Sequence, residues 1–141
     1  IHYVEIFNKE KNANIKLIIP FYDNEAYTEK LKPFKDEPEC GKRCLLCYSL
    51  RMDEAYAYAE KNHFDYFTTV MTISRQKNSE VLNEIGEKLS RKYPNTRYFF
   101  SYFKKKKGMD RSVELSSQYG LYKQNYCGCI YSYNKRKEHE K

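Results

Sequence analysis

From Arg43 to Asn62 small and apolar residues return at helical spacing. Leu46, Leu50 and Ala57 form one stripe and charged residues fill the opposite face, which predicts the clearest helix of the chain. A second amphipathic stretch, Val81 to Tyr93, carries Leu82, Ile85 and Leu89 on one face, with Ser79 as its predicted cap and Pro94-Asn95 as its breaker. Between them Phe64 to Met71 is aromatic and β-branched, the composition of a central strand, and Thr96 to Phe100 reads as another. Ile15 to Ile19 is a short apolar run closed by Pro20 and reads as a buried strand. The remaining segments read as connections and shorter helices. The end of a helix runs into the polar loop at Lys9 to Asn12. Asp23 or Asn24 caps a short helix through Lys30, and Lys35 to Gly41 is a loop. Arg111 to Tyr119 is a helix closed by Gly120.

Strands and helices thus alternate, which points to an α/β fold with a mainly parallel sheet. In such sheets sites lie beyond the carboxyl ends of the strands, and the polar loop Thr72 to Ser79 falls there. Three strands are few for this architecture, and the chain opens on Ile1 rather than Met. The expectation is one α/β domain over 1–141 that lacks an N-terminal strand–helix unit and ends in a charged tail, 134–141.

Charge adds a candidate partner. The 141 residues carry a formal net charge of +7, which suits a polyanion such as RNA, although a lysine-rich solvated surface reads the same way. Lys104 to Lys107 could hold phosphates or form an ordinary solvated loop. No run approaches the roughly 18 apolar residues of a membrane-spanning helix, so no membrane partner is expected and the chain reads as cytoplasmic.

Five cysteines change the picture most, because four of them form two close pairs. Cys44 and Cys47, at i and i+3 near a helix start, share a face. They can supply half of an iron–sulfur site, half of a four-cysteine zinc site, or a dithiol; they can also be ordinary helix cysteines. The helix N-terminus is expected to favour their thiolates. Cys127-Gly128-Cys129 can close a small strained disulfide ring or ligate metal through both sulfurs. Cys40 reads as a free surface thiol and His63 as a helix C-terminal cap. Tyr122 and Tyr126 could stack on a base or simply pack.

Several stretches, in order, resemble the QueH family of epoxyqueuosine reductases. They are Glu37 to Arg51 (EPECGKRCLLCYSLR), Phe64 to Ser74 (FDYFTTVMTIS), Leu82 to Gly86, Phe103 to Lys105, Arg111 to Ser116 and Gly120 to Ser132 (GLYKQNYCGCIYS). The resemblance implies a Rossmann-like, HUP-type three-layer fold. It implies reduction of epoxyqueuosine to queuosine in tRNA, with loss of water, by a cobalamin-independent oxidoreductase that uses a 4Fe-4S cluster and an additional adjacent metal. The electron donor is left unknown. Cys44 and Cys47 match the family's internal cluster ligands. Cys127 and Cys129 match its redox-active or metal-ligating Cys-Gly-Cys. Thr72, Ser74, Lys77 and Asn78 fall in the loop expected near the active site, and Lys104 and Lys105 are candidate tRNA contacts.

Two departures stand out. The family opens with a Cys-Cys-x-x-Cys motif that nothing here matches, so the chain as written is expected to lack part of the cluster's ligand set. Cys40 stands where the family usually has glycine, and Arg75-Gln76 replaces a proline-containing pair. The competing reading is a non-catalytic RNA-binding module with a structural zinc held by both cysteine pairs.

Overall fold

The structure, a computed structural model, describes residues 2–21, 23–105, 107–122, 124 and 126–139. Its elements in chain order are α1 (His2–Lys11), α2 (Asn24–Leu31), α3 (Lys42–Lys61), β1 (Tyr66–Phe67), α4 (Ser79–Ser90), β2 (Arg97–Tyr98), α5 (Gly108–Gln118) and α6 (Ile130–His139). Short 3-10 turns occupy Lys32–Phe34 and Val70–Ile73. Helix dominates, and β1–α4–β2 forms the one parallel crossover among the described residues, with Tyr66 opposite Arg97 and Phe67 opposite Tyr98. The α/β class therefore holds, with a sheet of two strands rather than three.

The core lies where α3 and α4 meet one face of that sheet. Tyr48, Met52 and Tyr56 recur every four residues along α3, so one face carries all three, and they are buried with Ala59. Leu82 answers from α4, and Ile85, Leu89, Phe67 and Tyr98 close around it. The predicted stripe of Leu46, Leu50 and Ala57 is only half-buried. The tyrosines displace it because a buried phenol can place its hydroxyl on a partner: Tyr56 Oη donates to Thr96 O at 2.6 Å while its ring stacks on Phe67 at 4.5 Å. Gly86 lets α4 approach β2. A Cβ there would stand 2.1 Å from the Tyr98 ring, which is pinned by its hydroxyl on Asn83 Oδ1 at 2.8 Å.

Chain ends of elements follow recognisable chemistry. Asp23 caps α2 by accepting from Ala26 N–H at 3.0 Å. Helix α3 ends in a Schellman arrangement in which Phe64 N–H reaches Ala59 O and His63 N–H reaches Glu60 O, with His63 itself at φ +58°. His63 is thus part of the cap, as read from the sequence. Gly120 closes α5 in the same way at φ +60°.

Four expectations are corrected. Ile15 to Ile19 is not a buried strand: no strand pairs with it among the described residues, and Ile15, Leu17, Ile18, Ile19 and Phe21 are exposed, Phe21 at 90%. An apolar run becomes a buried strand only where a neighbour takes its backbone groups; here Ile15 is held by the Asn8 amide, 2.9 Å in both directions, instead. The two longer predicted strands shrink to two residues each, because Thr69 caps a 3-10 turn directly after β1. Asn78, not Ser79, caps α4; Ser79 turns inward and donates to Thr72 O at 3.1 Å. Finally, α5 begins at Gly108, ahead of Arg111. Lys106 of the basic run and residues 140–141 of the tail lie outside the described residues.

Candidate functional site: a thiol-lined cavity beyond the strand ends

Helix α3 starts at Lys42 with Gly41 as its cap, and Glu37 accepts the Lys42 N–H at 3.2 Å. That start places Cys44 and Cys47 in the first two turns, both half-buried at the end of the hydrophobic core. The two sulfurs are held differently. Cys44 Sγ accepts from the Cys40 N–H at 3.3 Å. Cys47 Sγ accepts from the Tyr27 hydroxyl of α2 at 2.8 Å, and Tyr27 Oη in turn accepts from Arg51 Nε at 3.1 Å.

Burial pushes the Cys44 thiol up; the Cys40 N–H and the Arg43 charge oppose it without prevailing. The expected thiolate preference from the helix terminus is therefore outweighed at Cys44 by desolvation. Cys40 itself is exposed, as expected, and donates to Gln76 O at 3.1 Å. Its backbone sits at φ +67°, the left-handed region that favours glycine.

One sulfur of the second pair, Cys127, reaches the cavity that Cys44 lines, whereas Cys47 and Cys129 are not among its lining residues. Cys40, Cys44, Tyr48, Lys77, Tyr126 and Cys127 are among the residues lining one cavity of about 80 Å³. Cys127 and Cys129 are free thiols, as are the other three cysteines. The hydrogen bond between the two side chains, with burial, pushes Cys127 well above the usual thiol range, and the same bond, against burial, pulls Cys129 down to about 5. Cys129 immediately precedes α6. Its sulfur takes the Ser132 N–H at 3.5 Å, while Ser132 Oγ accepts the Cys127 N–H at 3.0 Å. The Arg43 charge adds to this stabilisation of the Cys129 thiolate.

Arg43 was not foreseen from the sequence. Its guanidinium is 2% exposed, donates Nη1 to Lys35 O and Glu37 O at 2.7 Å each, and lies 5.0 Å over the Tyr131 ring of α6. It thereby ties the helix carrying one cysteine pair to the helix behind the other. Tyr27 and Tyr48 were also missed. Tyr27 bonds to Cys47 and Arg51, 20 and 24 residues on, so no local pattern marks it, whereas Tyr48 stands at helical spacing on the buried Met52–Tyr56 face of α3.

The loop residues divide. Lys77 lines the cavity, and the Lys104 ammonium donates to Lys77 O, so the chain after β1 and the chain after β2 meet there. Ser74 closes the 3-10 turn, and Asn78 Oδ1 is taken up by the Glu80 and Val81 N–H groups as the α4 cap. Thr72 is fully buried. Its hydroxyl meets Ser101 Oγ at 3.1 Å within a network in which Asn83 also holds both the N–H and the carbonyl of Ser101. Lys105 lies over the Tyr102 ring, 4.5 Å from its centroid. Tyr126 packs on Tyr133 at 5.3 Å, whereas Tyr122 is 79% exposed.

The thiol-rich donor set fits a thiophilic metal in kind: Cys44 and Cys47 share a helix face, and Cys40 and Cys127 line the cavity beside Cys44. Among the described residues no three His, Cys, Asp or Glu side chains are gathered to hold a metal ion. No helix among them is long and apolar enough to cross a membrane.

Comparison with known proteins identifies the family of the chain. A family model described as epoxyqueuosine reductase QueH matches residues 3–135. Proteins named epoxyqueuosine reductase QueH from Streptococcus pyogenes, Staphylococcus aureus and Acinetobacter baylyi are each 36% identical, over 130, 132 and 140 residues. These alignments cover 92%, 92% and 94% of this chain, and 51%, 55% and 64% of the relatives. The chain thus spans about half the length of the first two curated relatives, and somewhat more of the third. With matched segments running from α1 to α6 and both cysteine pairs inside them, the chain belongs to the epoxyqueuosine reductase QueH family.

Proposed function

We propose that this chain carries the reductive site for converting epoxyqueuosine in tRNA to queuosine. The observation that carries the reading is the meeting of Cys44 and Cys127, from motifs far apart in the chain, at one cavity beside Lys77. Removing an epoxide oxygen to leave an alkene and water consumes two electrons and two protons. Oxidation of Cys127 and Cys129 to a disulfide releases two electrons and, with Cys129 already a thiolate, one proton; solvent supplies the second proton, and an external donor must then restore the dithiol. The pair starts from a favourable state, with one sulfur a thiolate and its neighbour still carrying the proton. Cys44 and Cys47 are the residues that would ligate a 4Fe-4S cluster, and Cys127 and Cys129 are candidates for ligating an adjacent metal. When bound, such a cluster supplies single-electron transfer.

The surrounding chain is read as part of a Rossmann-like, HUP-type three-layer fold. The parallel β1–α4–β2 unit supports this, as does the cavity's position by the segments that follow both strands. The substrate is a tRNA whose modified base lies in a single-stranded loop, where it is accessible. Lys77, which lines the cavity, and Lys104, whose ammonium donates to the Lys77 carbonyl, suit its phosphates. The test is anaerobic purification with iron and sulfide analysis, followed by conversion of epoxyqueuosine-containing tRNA. Iron with sulfide, and activity lost in Cys44→Ser and Cys129→Ser, supports the reading. Stoichiometric zinc without iron, or full conversion by Cys44→Ser, sinks it.

A further inference from the structure

We propose that Tyr27, held by Arg51, is a positioning residue that sets the electron density on Cys47 Sγ and so distinguishes this thiolate from Cys44. The inference rests on the reading of Cys44 and Cys47 as metal ligands. It begins from an asymmetry. The two sulfurs are held from different sources: Cys44 by the backbone N–H of Cys40 at 3.3 Å, Cys47 by the Tyr27 hydroxyl at 2.8 Å and by the Arg51 side chain. The O–H donor comes from another helix and is itself constrained. Arg51 lies one turn beyond Cys47 on the same face of α3. It donates Nε to Tyr27 Oη at 3.1 Å, and its guanidinium covers the Tyr27 ring, 5.2 Å from the centroid. With its oxygen accepting from Arg51, the hydroxyl has its proton left to give to sulfur. Helix α2 is tethered at the next residue, where Tyr131 Oη donates to Thr28 O at 3.4 Å.

A metal-bound thiolate keeps lone pairs that can still accept hydrogen bonds. Donors to those lone pairs withdraw charge from sulfur, which tunes the metal without touching it. Tyr27 is placed to do this for Cys47 alone.

The probe is Co(II), added anaerobically to the chain, with the sulfur-to-metal charge-transfer bands as readout. Removing the O–H in Tyr27→Phe keeps the ring and shifts the bands to lower energy, because the sulfur lone pairs are no longer stabilised. Arg51→Met keeps the hydroxyl but releases it and removes the guanidinium's own contact with Cys47, and gives a shift in the same direction. In a Cys47→Ser background the Tyr27→Phe shift disappears, which assigns the effect to this one sulfur. Thiolate bands that stay at the same energy in Tyr27→Phe overturn the inference while leaving the ligand reading intact. A wild-type chain that shows no thiolate bands overturns both.

Discussion

At the scale of single residues the most informative group is the Cys127–Cys129 pair. The hydrogen bond from Cys127 is the largest influence on Cys129, and it lowers the pKa. Its removal must therefore raise Cys129 toward the ordinary thiol range. At pH 6 the native chain is expected to alkylate at Cys129 well before Cys127. Cys127→Ala should slow Cys129 alkylation at that pH by roughly tenfold, since the thiolate fraction falls faster than intrinsic nucleophilicity rises. Peptide mapping after brief iodoacetamide treatment reads both rates. Backbone strain is the other residue-scale theme. His63 occupies a left-handed position at the end of α3 that costs a side chain about 1–2 kcal/mol. His63→Gly should relieve part of it and raise stability by about 1 kcal/mol in a urea titration.

Among elements, α4 and β2 meet closely at Gly86. Gly86→Ala would press a methyl group into the Tyr98 ring and should cost about 1–3 kcal/mol; an unchanged urea midpoint would show that the ring moves freely. Helix α3 is tied to the segment after α4 by Asp53, which receives Lys92 Nζ at 2.8 Å and Tyr93 Oη at 2.6 Å. Burial pushes this carboxyl up, but those hydrogen bonds and the Lys92 charge outweigh it and leave it below the usual range. Its stabilising contribution is therefore present above the unfolded carboxylate value near pH 4 and is lost as pH falls through the lower folded value. Asp53→Asn should flatten the acid limb of a stability–pH curve and lower the neutral plateau. Helices of this kind were legible in the sequence because their signals are local: the Asp23 cap, the Leu82–Ile85–Leu89 face, the Gly120 stop. Strand extent was not, because it depends on partners. Phe64 to Met71 has strand composition throughout, yet pairs only at Tyr66 and Phe67. The cysteine motifs were visible by spacing, whereas Tyr27 and Arg43 act across elements and leave no trace in a local pattern.

For the whole molecule, basic charge and the cavity rim lead to a salt-dependent association with tRNA. Lys77→Ala and Lys104→Ala should each weaken binding across sequences and reduce the slope of log affinity against log salt by about 1. A filter-binding series at several salt concentrations measures this, and an unchanged slope would place the phosphate contacts elsewhere. A different consequence follows from the uncovered stretch Ile15 to Phe21. Its exposed Ile, Leu and Phe side chains lie outside any helix, with no strand beside them among the described residues. Such a strip is an adhesive surface, and copies of the chain can zip together along it. The chain on its own should therefore sediment faster as it is concentrated. A lysine in place of Ile18 should keep it monomeric, while Pro20, which cannot donate to a ladder, already limits how far such stacking can grow.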